Sequence, residues 1–167
     1  MFELSSSNTE NRTLDELSKI ALDDYIIDLA WSPDSVKMAA VTVEGDVFLI
    51  HVETNSLKYL KVGQHGGGAS SLSWRADSQE FATGGQDGLI RVWDGNSGKE
   101  LYQLDAGASW VEKVAYNPHK NQLASAAGRR LKIWTEQKTA IYESTDHSST
   151  IADMNWNPDG SGLAVAA

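Results

Sequence analysis

The sequence predicts an all-β fold of repeated four-stranded antiparallel sheets, on three observations. All three prolines sit at one point of a repeat: Trp31-Ser32-Pro33-Asp34, Tyr116-Asn117-Pro118-His119 and Trp156-Asn157-Pro158-Asp159. A fourth copy, Trp74-Arg75-Ala76-Asp77, has alanine in the proline slot, and the aromatic anchors are spaced by 43, 42 and 40 residues. A fixed period of this length is the mark of stacked supersecondary units. Each anchor also closes an alternating apolar stretch, which is strand patterning because successive side chains point to opposite faces. Finally, no segment between turns could house a crossover helix, so consecutive strands pair antiparallel.

The elements follow in order within each period. First strands end on the anchors, at 27–31, 71–74, 113–116 and 153–156. A Pro-Asp or related turn leads to small, apolar second strands at 36–43, 80–84, 122–126 and 162–166. Turns at 44–46, 86–88 and 128–130 lead to third strands at 47–51, 89–94 and 131–135. Polar turns then lead to fourth strands at 57–62, 100–104 and 140–144. Ahead of the first period, 18–22 occupies the place of a fourth strand. Residues 13–17 read as a helical turn, with Thr13 and Glu16 as a capping box and Leu14 and Leu17 at helical spacing. Residues 1–12 are polar and expected to be disordered.

Composition narrows the function classes. The chain has 167 residues, a length that suits one domain, and no cysteine. It therefore has no disulfide, no cysteine nucleophile and no thiolate metal site. With 14 basic and 23 acidic side chains its formal charge is −9, which repels a phosphate backbone and argues against nucleic-acid binding. No apolar run approaches the roughly 20 residues of a membrane-spanning helix, and the first residues do not read as a secretory signal. The expected location is cytoplasmic. The four histidines, at 51, 65, 119 and 147, lack metal-ligand spacing. Gly95 to Lys99 imitates part of a phosphate loop but lies in a turn between strands, without a following helix. No cofactor is expected.

The best copy runs from His65 to Asp105. His65 stands nine residues before Trp74, followed by FATGG at 81–85, QDG at 86–88 and LIRVWD at 89–94. This pattern strongly resembles the WD-repeat propeller family, over about residues 18–167. The resemblance implies a partial β-propeller over 13–167, about three and a half blades, with repeats at 22–62, 63–105, 106–146 and an incomplete 147–167. The chain stops at Ala166-Ala167, inside a second strand, so it is read as a fragment of a longer propeller.

In that family a His, a Ser or Thr, an Asp and a Trp form a buried hydrogen-bonded network, and here those positions are His65, Thr83, Asp87 and Trp93. The chemistry is sound without the family: a buried indole N–H needs an acceptor, and a hydroxyl both donates and accepts. The same residue types make a nucleophilic triad, but all belong to one structural period and no G-x-S-x-G elbow exists. The other copies depart from the pattern. The first has Leu22, Ala40, Glu44 and Ile50 in these slots, the third has Gly107, Ser125, Gly128 and Trp134, and the fourth has His147 and Val165.

The resemblance implies a non-catalytic scaffold that binds protein or peptide partners through its blade turns. The positions it marks are Tyr25, Gly68, Trp110 and Thr150 where first strands begin, then Asp28, Glu112, Lys113 and Asp153, with Gln86 before Asp87. Tyr25 and Trp110 are the residue types favoured at binding hot spots. The alternative is a non-catalytic propeller within a larger enzyme or regulatory protein whose catalytic domain lies beyond residue 167.

Overall fold

The computed structural model describes residues 18–54, 56–107, 110–144 and 147–167 in full, and the backbone of 2–8 and 13–17. Every regular element among them is a β-strand. A two-stranded sheet pairs β1 (Phe2–Asn8) with β2 (Thr13–Ile20). Blade 1 is β3 (Ile26–Trp31), β4 (Lys37–Thr42), β5 (Asp46–Glu53) and β6 (Ser56–Gln64). Blade 2 is β7 (Ala69–Trp74), β8 (Glu80–Gly85), β9 (Leu89–Asp94) and β10 (Glu100–Asp105). Blade 3 is β11 (Val111–Tyr116), β12 (Gln122–Ala127), β13 (Arg130–Thr135) and β14 (Ala140–Ser144). A last pair, β15 (Asp153–Trp156) and β16 (Leu163–Ala166), forms blade 4. All pairing is antiparallel between neighbours in sequence, as a meander of tight turns requires.

The amino-terminal segment departs from expectation. Residues 2–8, expected to be disordered, form β1, and 13–17, read as a helical turn, belong to β2. Met1 and 9–12 lie outside the described residues. A capping box satisfies two backbone donors, whereas the β1–β2 ladder runs from Phe2↔Ile20 to Asn8↔Thr13 with one bulge after Leu4. Pairing along both segments satisfies far more backbone groups than one helical turn could.

Each blade is greasy on both faces, and a core layer lies between each pair of neighbours. Ala39, Val41, Val47 and Leu49 of blade 1 meet Leu72, Trp74, Phe81 and Trp93 of blade 2. Ala82, Ile90 and Val92 of blade 2 meet Val114, Leu123 and Trp134 of blade 3. Ala124, Ala126 and Leu131 of blade 3 meet Met154, Trp156 and Val165 of blade 4. The first strands of successive blades lie side by side, so each blade start is fixed by its predecessor.

Blade 1 lacks the polar network and is held by packing. Met38, Ala40, Phe48 and Ile50 cluster there, and Ile20, Leu22 and Leu57 cover them. Truncating Ile50 strands no polar partner, so Ile50→Val is expected to cost only about 0.5–1.5 kcal/mol in urea melts.

Candidate functional site

The blade 2 network assembles because β8, β9 and the connection before β7 converge on one buried point. Thr83 sits at the centre of β8, fully buried. Trp93 on β9 donates its indole N–H to Thr83 Oγ1 at 2.9 Å. His65 Nε2 lies 2.8 Å from the same oxygen, and His65 Nδ1 lies 3.0 Å from Asp87 Oδ1. One tautomer satisfies every group: Thr83 donates its hydroxyl to Nε2, and Nδ1–H donates to the carboxylate. Asp87 also accepts from the amides of Gly66 and Leu89, and Arg91 bridges it to Glu100. The carboxylate thus fixes the histidine, the histidine fixes the hydroxyl, and the hydroxyl holds the indole.

Burial of the ring pushes His65 below the ordinary histidine range, and Asp87 only partly offsets this. Burial pushes Asp87 up, but the hydrogen bond from His65 and the amides of Gly66 and Leu89 hold it below the usual carboxylate value. The pair is therefore a neutral imidazole on a carboxylate. Both groups bind protons more readily in the unfolded chain, so both favour the fold more strongly as pH rises. The His65 contribution is complete above the ordinary value of 6.5 and declines as pH falls below it. The Asp87 contribution is lost at lower pH, below 3.8 and through its depressed folded value. Urea melts across this range are expected to show a decline beginning near 6.5 that His65→Gln removes. A His65→Gln profile parallel to the parent would sink this assignment.

The other blades keep what their residues allow. In blade 3, Trp134 donates its indole N–H to Ser125 Oγ at 2.9 Å, but Gly107 and Gly128 supply no His or Asp. In blade 4, Val165 stands where Thr83 does, and His147 Nε2 is buried without a hydrogen-bond partner among the described residues.

The marked surface residues divide into two groups. Tyr25 is 83% exposed and Trp110 57% exposed, each just before a first strand. Thr150 is also exposed. The rest are engaged with the protein itself. Asp28 accepts from the amides of Leu29 and Leu72, both at 2.9 Å, tying blade 1 to blade 2. Glu112 accepts from the Gly128 amide at 2.7 Å, and Lys113 faces Asp153 at 3.6 Å. Gln86 donates its backbone N–H to the Gly68 carbonyl, and its side chain packs over the Gly67–Gly68 turn.

Several positioning residues were not anticipated. Ser71 and Ser73 accept from the amides of Val114 and Tyr116, joining blade 2 to blade 3. Trp74 and Trp156 donate their indole N–H groups to the carbonyls of Ala30 and Ala115 in the preceding blade. Lys37 is buried between blades 1 and 2, where its ammonium donates to Asn96 Oδ1 at 2.8 Å. Asp24 accepts from the amides of Tyr25 and Glu44, and so sets the turn that presents Tyr25. The repeat spacing was the available signal for the indole contacts. Serines in an alternating strand carried none.

The family described as "WD domain, G-beta repeat" matches residues 57–94 and 98–135. Each match begins on or just before the last strand of one blade and ends on the third strand of the next, so the sequence unit straddles two blades. The chain is 26% identical over 167 residues to Protein transport protein sec13 of Aspergillus clavatus, covering 83% of this chain and 57% of that one. It is 33% identical over 107 residues to Small ribosomal subunit protein RACK1z of Oryza sativa subsp. japonica, covering 59% and 32%. Among solved structures, a chain of "Crystal Structure of Mitotic Checkpoint Complex" superposes with a TM-score of 0.77 at 21% identity, covering 95% of this chain and 51% of that one. "Crystal structure of RRP9 WD40 repeats" gives 0.74 at 18%, covering 81% and 43%. At these identities the structural likeness speaks for the fold. The chain spans about half the length of the first curated relatives it matches.

Proposed function

The chain belongs to the WD-repeat family, and on that premise we propose that it is a non-catalytic interaction scaffold that binds protein or peptide partners on the face where its first strands begin. One observation carries the reading: Tyr25 and Trp110 stand largely exposed at equivalent ends of two blades. Neither belongs to a core layer among the described residues, and exposed Tyr and Trp on a rigid frame are favoured anchors for a partner. The triad-like residues do not compete with this reading. Thr83 is fully buried and His65 is 1% exposed, so no substrate carbonyl reaches them. Their hydrogen bonds are spent on one another.

The test is a pair of substitutions on an intact frame. Trp110→Ala and Tyr25→Ala are expected to leave urea melts nearly unchanged while weakening capture of a bound protein or peptide, by about 2 kcal/mol at a hot spot. Partners that bind the parent and both variants equally would exclude this face.

A further inference from the structure

We propose that the partner held on this face is an acidic peptide segment, one of whose carboxylate side chains docks on the guanidinium of Arg129 beside Trp110. This rests on the reading above and names the chemistry of that partner. The place is one end of blade 3, inside the repeat array, between blade 2 and the connection into blade 4. Val111 pairs with Ala127, so Trp110 and the turn after β12 leave the sheet at the same end. That turn is Gly128-Arg129, and β13 begins at Arg130.

Arg129 stands apart from the other arginines. With 23 acidic side chains against 14 basic ones, an arginine in this chain readily meets a carboxylate. Arg75 bridges Asp77 at 2.9 Å and Glu80 at 3.0 Å. Arg91 bridges Asp87 at 3.4 Å and Glu100 at 2.8 Å. Arg130 faces Glu143 at 3.7 Å. Arg129 faces no carboxylate among the described residues, and its contact is with backbone, where Nε donates to the His147 carbonyl. The side chain is exposed, and both terminal nitrogens lack an acceptor among the described residues.

This guanidinium is also held in place. The Gly128 amide donates to Glu112 at 2.7 Å, and the Gly128 carbonyl accepts from the Ile151 amide at 2.9 Å. The turn is thereby pinned to β11 on one side and to the lead-in of β15 on the other. With Nε fixed as well, little side-chain freedom is left to lose on binding. A planar guanidinium offers two parallel N–H groups, the geometry that a carboxylate accepts. Arg130 adds a second cation on the side of blade 2. Its Nη1 would lie 3.7 Å from a Cβ at Gly107, on the connection that leads to Trp110. The Trp110 indole, 57% exposed, offers its face to an apolar neighbour of the bound acid.

The formal charge of −9 opposes such a ligand at long range, but salt screens exposed charges beyond about 8 Å at physiological strength. Nearby acids are already engaged. Asp105 accepts from the Gly107 amide, Glu112 from the Gly128 amide, and Glu143 faces Arg130. A basic segment would meet two arginines here and carboxylates that already have partners.

Selection of phage-displayed random heptapeptides on the immobilised full chain, with titration of the resynthesised binders, tests this. The expected binders carry Asp or Glu beside an aromatic or aliphatic residue, and lose affinity when that acid becomes its amide. Arg129→Gln should weaken them about ten- to a hundredfold, as loss of a charge-assisted hydrogen bond does, and should bind the acid and amide forms equally. Arg129→Lys should recover only part of the loss, because an ammonium lacks the fork. Urea melts of both variants should match the parent. Binders that need Trp110 but carry no acid, or that bind Arg129→Gln as well as the parent, would overturn this proposal and leave the reading of the face standing. No binders, or binders indifferent to both Trp110→Ala and Arg129→Gln, would overturn both. A requirement for phosphoserine in the place of the acid would assign the site to a phosphorylated partner and overturn the carboxylate assignment.

Discussion

Trp93→Ala is expected to destabilise the chain by about 3–5 kcal/mol, the largest loss from any single truncation in blade 2. Two effects add. Trp93 is 1% exposed, stacks on Phe81 with ring centroids 6.3 Å apart, and fills the layer between blades 1 and 2, so its removal leaves a cavity. Gly63 on β6 shows how tight the site is, because a Cβ there would run into the indole ring. The second effect is polar. Without the indole N–H, Thr83 loses a donor at a buried site. Trp93→Phe separates the two, since it keeps most of the ring and removes the donor, and about 1–3 kcal/mol is expected from it. Stability in repeat folds sums local and nearest-neighbour terms, so urea melts should be paired with hydrogen exchange at the amides of β8 and β9. If Trp93→Phe cost no more than Ile50→Val, the network would have no energetic role beyond packing.

How much of this was legible beforehand depended on whether the signal lay within one period or between periods. The strands of the blades, β3 to β16, fall within two residues of their expected places because alternation and turn residues are local. The network was legible because His65, Thr83, Asp87 and Trp93 are coded inside one repeat. The stitching between blades was not. Asp28 is a charged residue in an alternating strand, the ordinary appearance of a solvent-facing position, and it was marked for partner binding. Its carboxylate is instead occupied by an amide from Leu72, in the next blade. Ser71 and Ser73 do the same work one blade on. The β1–β2 hairpin was missed for a related reason, because its segments are polar and it gains its order from a ladder between them rather than from a greasy stripe.

Gly85→Ala is expected to cost about 3 kcal/mol, at the upper end of overpacking penalties, because it adds atoms to a filled site and also disturbs a polar network. Gly85 ends β8, and its backbone lies outside the left-handed region, so alanine is conformationally permitted there. Space is the constraint. A Cβ at this position would lie 2.5 Å from Asp87 Oδ1 and against the His65 ring, at the point where the imidazole meets the carboxylate. Neither neighbour can yield freely. His65 is held at its other nitrogen by Thr83, and Asp87 is held by two backbone amides. Relief must lengthen the His65–Asp87 hydrogen bond or tilt the ring away from Thr83, and either leaves a buried polar atom poorly paired. Gly162 is the contrasting site. A Cβ there would come no closer than 3.5 Å, to the Asn157 side chain, and its backbone also lies outside the left-handed region. Gly162→Ala should therefore be neutral or stabilising by up to about 1 kcal/mol, through the smaller entropy of the unfolded chain. Urea melts of the two variants decide the matter, with the nitrogen shifts of the His65 ring reporting whether Nδ1 still carries the proton. Equal stability of the two variants, with the His65 signals unmoved, would mean that blade 2 has room that its packed geometry denies.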